Sequence, residues 1–185
     1  AVLPGSREYE IRDNLRTMQE ISDGFSDYQF VIAGMSRFSN EFYHKYIGKN
    51  NVKVIFNKTY DLLKYAEAAI VVSGSATLET AIIGTPEVLV YKTNPITFYL
   101  GKMVVNLKFL GLPNLVMNEK IIPELLQSEM NAENLKATLN KLLYDKEYRS
   151  EMINNFSRLR EKLGNGTASE KTAKLIVEDL KSSIS

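Results

Sequence analysis

The sequence predicts an α/β fold: a doubly wound, Rossmann-like parallel sheet with extra helices at its carboxyl-terminal end. Three observations predict it. Short apolar runs, mostly rich in valine and isoleucine, alternate with longer amphipathic stretches in the first half of the chain. The apolar runs are nearly continuous, which fits parallel strands that are buried on both faces. Repeated β–α units of this spacing imply right-handed crossovers, and the last third of the chain has helical patterning with little strand.

Five strands are predicted, and they lie at Ala1–Leu3, Phe30–Ala33, Val52–Phe56, Ala69–Val72 and Val88–Tyr91. Natural strands usually have about five or six residues, so the first one is unusually short. We therefore expect the chain to be a piece of a longer protein. Since the sequence contains no internal repeat, linker or low-complexity tract, we expect residues 1–185 to form a single domain.

Helices are predicted between and after these strands, at Glu8–Ile21, Glu41–Ile47, Tyr60–Ala66 and Ala76–Ile83, then from Asn131 to about Leu143 and from Thr167 to about Lys181. Ser75 is predicted to cap the fourth helix, and Gly84 followed by Pro86 to end it. Asn131 and Thr167 are predicted caps of the last two helices.

Composition excludes several classes of function. The chain has no cysteine, which rules out thiol catalysis, zinc–thiolate sites and disulfides, and its one histidine cannot build a multi-histidine metal site. The 23 basic and 22 acidic residues give a net charge of +1, too little to favour nucleic acid as a partner. No apolar run is long enough to cross a bilayer. We expect a cytoplasmic protein without a metal or another cofactor.

The loop Leu3–Arg7 joins the first strand to the first helix and has the composition of an anion-binding turn. Gly5 would let the backbone approach a ligand, Ser6 could cap the helix, and Arg7 could contact a phosphate through two hydrogen bonds. In parallel α/β sheets, ligands bind at the carboxyl ends of strands, where this loop lies.

A second loop of this kind follows the fourth strand. The small residues Gly74, Ser75 and Ala76 would leave room for a diphosphate at the positive end of the next helix. Glu79 lies about one turn further on, where a carboxylate could accept hydrogen bonds from a ribose diol. Equally, a glutamate there complements the helix dipole, and Ser-Gly-Ser can be an ordinary turn, so both interpretations stay open at this point.

Further motifs follow the two loops in order. They are Gly84-Thr85-Pro86, Val90-Tyr91-Lys92, Leu112-Pro113-Asn114 and Pro123-Glu124-Leu125-Leu126-Gln127. With both loops, they make the chain from residue 1 to about Gln127 resemble the lipid-A-disaccharide synthase family. That family has the GT-B architecture of two Rossmann-like domains, and this chain resembles only the carboxyl-terminal domain, which holds the nucleotide-linked donor.

The resemblance implies an inverting hexosyltransferase that joins UDP-diacylglucosamine to diacylglucosamine 1-phosphate and releases UDP. It also implies that ten residues bind the nucleotide-linked donor: Gly5, Ser6, Arg7, Gly74, Ser75, Ala76, Glu79, Asn114, Glu124 and Gln127. Glu79 would hold the ribose in this arrangement. The catalytic base would lie in the amino-terminal domain, and the fragment alone would be inactive.

The residues alone leave other functions open. The chain could be the donor domain of another GT-B enzyme, such as a peptidoglycan N-acetylglucosaminyltransferase or a UDP-N-acetylglucosamine epimerase. It could also be a non-catalytic nucleotide-binding module. The Leu112-Pro113-Asn114 and Glu124–Gln127 motifs favour the disaccharide synthase.

The segment Ile96–Leu110 is apolar and aromatic, and residues 92–120 contain four lysines against one acid, a local charge of +3. Such a segment fits contact with anionic lipid at the inner face of the inner membrane. A core helix whose lysines extend to solvent would have the same composition.

Overall fold

The computed structural model describes residues 1–47, 52–93 and 108–164, together with 172–173, 175–177 and 179. The strands within these residues are β1 (Val2–Leu3), β2 (Phe30–Gly34), β3 (Val52–Phe56), β4 (Ala69–Val72), β5 (Glu87–Tyr91) and β6 (Glu124–Leu126). They form one sheet in the order β3-β2-β1-β4-β5-β6, and every neighbouring pair is parallel. The predicted fold class is confirmed.

The helices are α1 (Glu8–Ser22), α2 (Asn40–Ile47), α3 (Thr59–Tyr65), α4 (Ser75–Ile83), α5 (Leu112–Met117), α6 (Ala132–Tyr144) and α7 (Lys146–Leu163). Short 3₁₀ turns occupy Asp23–Phe25 and Gln127–Glu129. No helix in the described ranges is both long and apolar enough to cross a membrane. The predicted helix from Thr167 to Lys181 lies largely outside the described residues, and those described within it are helical.

All five predicted strands are present, but β6 was not predicted as a strand. It has three residues and begins with a glutamate, so it lacks the apolar run that marks the central strands. It adds to the open side of β5 and becomes the edge of the sheet.

Helix ends agree with the sequence in two places and differ in two. The Asn131 side chain accepts a hydrogen bond from the N–H of Asn134, and Gly84 ends α4 in the left-handed conformation, as predicted. The caps predicted at Ser75 and Ser6 are wrong. Gly74 is the N-cap of α4, with φ of +151°, and Arg7 is the N-cap of α1, so each helix begins on a different residue from the serine.

Two apolar clusters cover the two faces of the sheet. The larger contains Val2, Ile32 and Ile70 and packs against α1, α6 and α7. The smaller contains Leu3, Leu63, Ala69 and Val71 on the face of α3 and α4. Successive residues of β1 and β4 therefore point to opposite faces, as a strand that is buried on both sides requires.

The sheet reverses its winding at β1. From β1 the chain proceeds through β2 and β3 to one side, whereas β4, β5 and β6 lie on the other side. The loops that follow β1 and β4 diverge at the carboxyl ends of these two strands and open a crevice there. In open parallel sheets this switch point is the usual place for a ligand.

Candidate functional site

A cleft of about 420 Å³ occupies the crevice at the switch point. Residues 3–7 and 72–76 line it, and Glu10, Ala33, Met35 and Thr59 complete its wall. The structure thus brings together the two loops that the sequence indicated. Sixty-odd residues separate them along the chain, and the pairing of β1 with β4 makes them neighbours.

The first loop is organised by Glu10, a residue that the sequence analysis missed. Its Oε2 accepts hydrogen bonds from the backbone N–H groups of Ser6 and Arg7, both at 3.1 Å. Its Oε1 accepts one from Arg7 Nη1 at 3.0 Å, and Glu10 is only 8% exposed. The backbone N–H groups that an anion-binding turn would offer to a ligand are therefore bonded to a carboxylate of the protein. A glutamate three residues after the N-cap is the sequence signal that could have revealed this.

Gly5 has a second reason to be glycine. Its φ is +105°, and a Cβ at this position would lie 2.7 Å from Glu10 Oε2 and 2.9 Å from Glu10 Cβ. Any side chain here would displace Glu10 from the loop. The absence of a side chain at Gly5 therefore makes room for Glu10, and the predicted approach of a ligand to Gly5 stays a prediction.

Arg7 contributes the cation at the rim of the cleft, where its side chain is 67% exposed. Nη1 makes both of its described contacts, with the Tyr9 hydroxyl oxygen at 3.4 Å and with Glu10. Nε and Nη2 have no partner among the described residues. The hydrogen bonds to Tyr9 and then Glu10 raise the pKa of Arg7, so its guanidinium stays charged.

The second loop presents free backbone donors. The first turn of a helix leaves its N–H groups without intrahelical partners. No carbonyl or side chain of the described residues accepts from the N–H of Ser75 or Ala76. A Cβ at Gly74 would meet no atom within 4 Å, so the loop faces open space. The start of α4 is therefore an unoccupied donor surface with the positive end of the helix dipole behind it.

Glu79 lies one turn into α4 and is half-buried, but it is not among the residues that line the cleft. Its Oε2 accepts a hydrogen bond from the Tyr60 hydroxyl at 3.0 Å. Tyr60 is 62% exposed, and the bond to Glu79 raises the pKa of Tyr60. Tyr60 follows Thr59, which does line the cleft. Glu79 and Arg7 thus lie at the same edge of the sheet, and Tyr60 is a neighbour that no local pattern indicated.

Asn114 and Glu124 form a separate structural cluster. Asn114 is fully buried, with Nδ2 donating to Ile122 O at 3.0 Å and to Glu124 Oε1 at 2.8 Å. Its Oδ1 accepts from the N–H groups of Ile121 and Ile122. These bonds use the full capacity of the amide, so Asn114 has none left for a ligand.

The Glu124 carboxylate also accepts from the backbone N–H groups of Leu110 and Gly111. Gln127 has φ of +53°; its Oε1 accepts from the N–H of Thr93, and its buried Nε2 has no partner in the described part of the chain. None of Asn114, Glu124 and Gln127 lines the cleft. In this structure Asn114 joins α5 to β6. The donor contacts expected of Asn114, Glu124 and Gln127 stay predictions.

No group of three or more histidine, aspartate or glutamate side chains is placed to hold a metal ion within the described ranges. In the cleft itself, Arg7 is balanced by Glu10. The attraction for an anion therefore comes from the start of α4 and the open edge of the guanidinium rather than from an excess of positive residues.

The chain is similar to known proteins over nearly its whole length. A family model described as lipid-A-disaccharide synthetase matches residues 1–178. The lipid-A-disaccharide synthase of Geobacter sulfurreducens is 31% identical over 185 residues, which is 97% of this chain and 48% of that protein. The chain spans about half the length of the curated relatives it matches.

Solved structures show the same fold at low identity. A putative UDP-N-acetylglucosamine 2-epimerase from Listeria monocytogenes has a TM-score of 0.65 and 15% identity, covering 98% of this chain and 44% of that one. A calicheamicin glycosyltransferase has a TM-score of 0.60 and 16% identity, covering 94% and 40%. Likeness at this identity concerns the fold alone.

Proposed function

The chain belongs to the lipid-A-disaccharide synthetase family, and from that premise we propose that it is the donor-binding domain of an inverting hexosyltransferase. Residues 1–185 form a single carboxyl-terminal domain in this proposal. The complete enzyme would transfer diacylglucosamine from UDP to diacylglucosamine 1-phosphate and release UDP. The base that activates the acceptor lies in the other domain, and this chain by itself makes no disaccharide, because both halves are needed to align the reactants.

One observation supports nucleotide binding above all: the N–H groups of Ser75 and Ala76 have no partner among the described residues, and these two residues line the same cleft as Arg7. A diphosphate there would accept hydrogen bonds from the start of α4 and from the open edge of the guanidinium. As the sugar leaves, negative charge grows on the β-phosphate. Donors that are already in position stabilise that charge without further rearrangement.

The two loops have different tasks in this proposal. Ser73–Ala76 contacts the phosphates through the backbone. In the first loop the backbone donors of Ser6 and Arg7 are held by Glu10, so only the Arg7 side chain contacts the ligand. Gly5 and Ser6 shape the loop around Glu10.

Glu79 is proposed to accept hydrogen bonds from the ribose hydroxyls. Tyr60 engages Oε2 and leaves Oε1 for the sugar, since no described residue donates to Oε1. A carboxylate in this position repels phosphate, which would keep the ribose end of the ligand over α4 and the diphosphate over the loop.

The epimerase alternative rests on likeness of fold at 15% identity, whereas the family match covers nearly the whole chain. A non-catalytic nucleotide-binding module would show the same cleft, so the cleft does not distinguish it from a transferase. Because the family match favours the transferase, we retain the transferase as the proposed function.

Contact with the inner face of the inner membrane, at the cytoplasmic side, is part of the proposal because the substrates are acylated. Most of the segment Ile96–Leu110 lies outside the described residues. Lys108, which is described, is exposed and sits 5.1 Å from the ring centroid of Phe109. This cation beside an aromatic ring fits a headgroup-level contact.

Titration calorimetry with UDP and with uridine tests nucleotide binding. Ser75 is the first residue of α4, where proline is tolerated because the N–H has no helical partner. Ser75→Pro removes this one donor, and Ser75→Ala keeps it as the matched control. We expect Ser75→Pro to weaken UDP binding by about tenfold and leave uridine unchanged, because one hydrogen bond to a charged group is lost.

Absence of saturable heat with millimolar UDP in a folded wild-type sample would refute the proposed function. Equal UDP affinity for the proline and alanine variants would remove the start of α4 from the phosphate site.

A further inference from the structure

A tyrosine and a glutamate from neighbouring helices meet beside the cleft, and we call them the Tyr60–Glu79 pair. Tyr60 lies in the first turn of α3, and Glu79 lies one turn into α4. The Tyr60 hydroxyl donates to Glu79 Oε2 at 3.0 Å. Thr59, the neighbour of Tyr60, lines the cleft together with Ser75 and Ala76 at the start of α4. The pair therefore borders the cleft on the side of α3.

The turn between β3 and α3 determines where Tyr60 lies. Asn57 follows β3 directly and has φ of +56°, in the left-handed region that asparagine tolerates. Because α3 begins only two residues later, at Thr59, Tyr60 stays at the carboxyl edge of the sheet. Leu63 of α3 and Ile83 of α4 pack in one apolar cluster. Two packed helices, rather than a long loop, thus hold Tyr60 against Glu79.

Hydrogen bonding within the pair leaves two acceptors and no donor for a ligand. A tyrosine hydroxyl has one proton to donate, and its oxygen can also accept. The bond to Glu79 uses the proton and raises the pKa of Tyr60, so the hydroxyl keeps that proton. No described residue donates to the Tyr60 oxygen or to Glu79 Oε1. These two oxygen atoms are the acceptors.

Fold stability does not account for the pair. Tyr60 is 62% exposed and belongs to neither apolar cluster. Glu79 forms no ion pair with any residue that the structure describes. An exposed hydrogen bond adds little to stability, because both groups would bond to water in its absence. The contact is therefore not needed to hold α3 on α4, and its placement beside the cleft points to a ligand.

We propose that Tyr60 and Glu79 divide the ribose diol of the nucleotide between them, so that one hydroxyl donates to Glu79 Oε1 and the other to the Tyr60 oxygen. This inference rests on the proposed function and narrows the contact of Glu79 to one of the two hydroxyls. It makes Tyr60 a binding residue that determines specificity. The substrate class that follows is a sugar linked to a ribonucleotide rather than to a deoxyribonucleotide.

The chemistry of the pair matches a vicinal diol. The two acceptors are separated by one hydrogen bond and the width of a carboxylate, and the two O–H donors of ribose are on neighbouring carbon atoms. Phosphate oxygens only accept hydrogen bonds and are repelled by the glutamate charge. A site that bonds a hydroxyl rejects the analogue that lacks it, because its own polar group is then left without that partner.

Calorimetry of the wild-type chain with UDP, 2′-deoxy-UDP and 3′-deoxy-UDP is the first part of the test. Each deoxy analogue lacks one donor and keeps the base and both phosphates. We expect each to bind about fivefold more weakly than UDP, the loss of one hydrogen bond.

Tyr60→Phe is the second part, since it removes the hydroxyl and keeps the ring. It should weaken UDP binding by about fivefold. For the analogue that lacks the hydroxyl bonded to Tyr60, wild type and variant should bind equally, whereas the other analogue should lose affinity in the variant as UDP does. Tyr65→Phe is the matched control: Tyr65 also lies on α3, is 82% exposed and does not line the cleft, so this variant should bind as the wild type does.

The outcomes separate this inference from the proposed function. If wild type binds UDP and both analogues equally, the diol contact is overturned and the nucleotide site stands. If Tyr60→Phe weakens both analogues as much as it weakens UDP, neither hydroxyl contacts Tyr60, and the inference is overturned as well. If the folded wild type does not bind UDP, the proposed function itself fails, and this inference fails with it.

Discussion

Glu10 determines which donors of the first loop are free for a ligand. Its carboxylate accepts from two backbone N–H groups and from the Arg7 guanidinium while it remains nearly buried. The charge of Arg7 is thereby held at the cleft. Its Nε and Nη2, which have no partner among the described residues, are the atoms of this loop that we propose for contact with phosphate. In the proposed function, the phosphate contact of this loop therefore belongs to one side chain, that of Arg7.

Arg7→Ala should weaken UDP binding by about tenfold or more and leave uridine binding unchanged, because only UDP has phosphates for the guanidinium to contact. Calorimetry with both ligands measures the difference. Arg12→Ala is a suitable control, because Arg12 also pairs with an acid on α1 and is away from the cleft. Equal losses for UDP and uridine would assign Arg7 to the fold instead.

Glu87 is an acidic residue whose burial should make the stability of the fold depend on pH. It is fully buried at the start of β5, and neither carboxylate oxygen has a partner among the described residues. Burial raises the pKa of Glu87 well above its ordinary value. The folded chain therefore keeps a proton on Glu87 at pH values where the unfolded chain has lost it.

Stability should accordingly fall as pH rises from the ordinary glutamate pKa through the raised one, by about 1.4 kcal/mol for each unit between them. Urea unfolding of the wild type and of Glu87→Gln at pH 5 and pH 8 isolates this loss as the difference between the two proteins, because stability should fall more, or rise less, with pH in the wild type. The Ala1 amino group acts in the opposite direction, because its pKa is lowered to about 5, and it is common to both proteins. The exposed Glu147→Gln is the control, and an equal pH dependence of Glu87→Gln and wild type would contradict the expectation.

At the scale of elements, α5 and β6 are held together by side chains rather than by a ladder. Asn114 in α5 bonds to the backbone on the way to β6, and Glu124 in β6 bonds to the backbone at the start of α5. Asn114 and Glu124, which belong to motifs of the family resemblance, thus have a structural role in the fold. Short elements of this kind need such tertiary contacts, because few hydrogen bonds form within them.

Asn114→Ala should lower the free energy of unfolding by about 3 kcal/mol, because it leaves buried backbone groups and the Glu124 carboxylate without a partner. Denaturant titration measures the loss, and Asn140→Ala, at an exposed position of α6, should have little effect. In the folded variant UDP affinity should be retained. A loss of UDP affinity without a loss of stability would return Asn114 to the donor site.

For the whole molecule, charge is nearly balanced, so any attraction to an anionic surface must be local. Residues 92–120 hold the local charge of +3. Each lysine near such a surface contributes about 1 kcal/mol, and salt screens the contribution.

The double variant Lys102→Glu, Lys108→Glu should therefore reduce binding to anionic vesicles by about tenfold or more at low salt, since two attractive charges become repulsive. Co-sedimentation with vesicles measures it. Lys136→Glu, Lys146→Glu makes the same change of net charge elsewhere and should bind as the wild type does. Equal binding by the two double variants would exclude a role for this segment in membrane contact.

The amino-acid sequence by itself determined the fold class, five of the six strands in the described residues and most helices. These depend on local signals: apolar runs for buried parallel strands, amphipathic spacing for helices, and caps such as Asn131 and Gly84. It also determined the family, through motifs in a specific order. The short strand β6 and the N-caps at Arg7 and Gly74 could not be predicted from the sequence, because they depend on which neighbouring group forms hydrogen bonds with the backbone.

Only the tertiary structure decided which polar groups are free. The adjacency of β1 and β4 places two loops that are distant in sequence around one cleft. The same folding engages Glu10 with the first loop, Tyr60 with Glu79, and Asn114 with Glu124. A residue type states what hydrogen bonds a side chain can make, but whether a partner already holds them depends on contacts that the linear pattern does not contain.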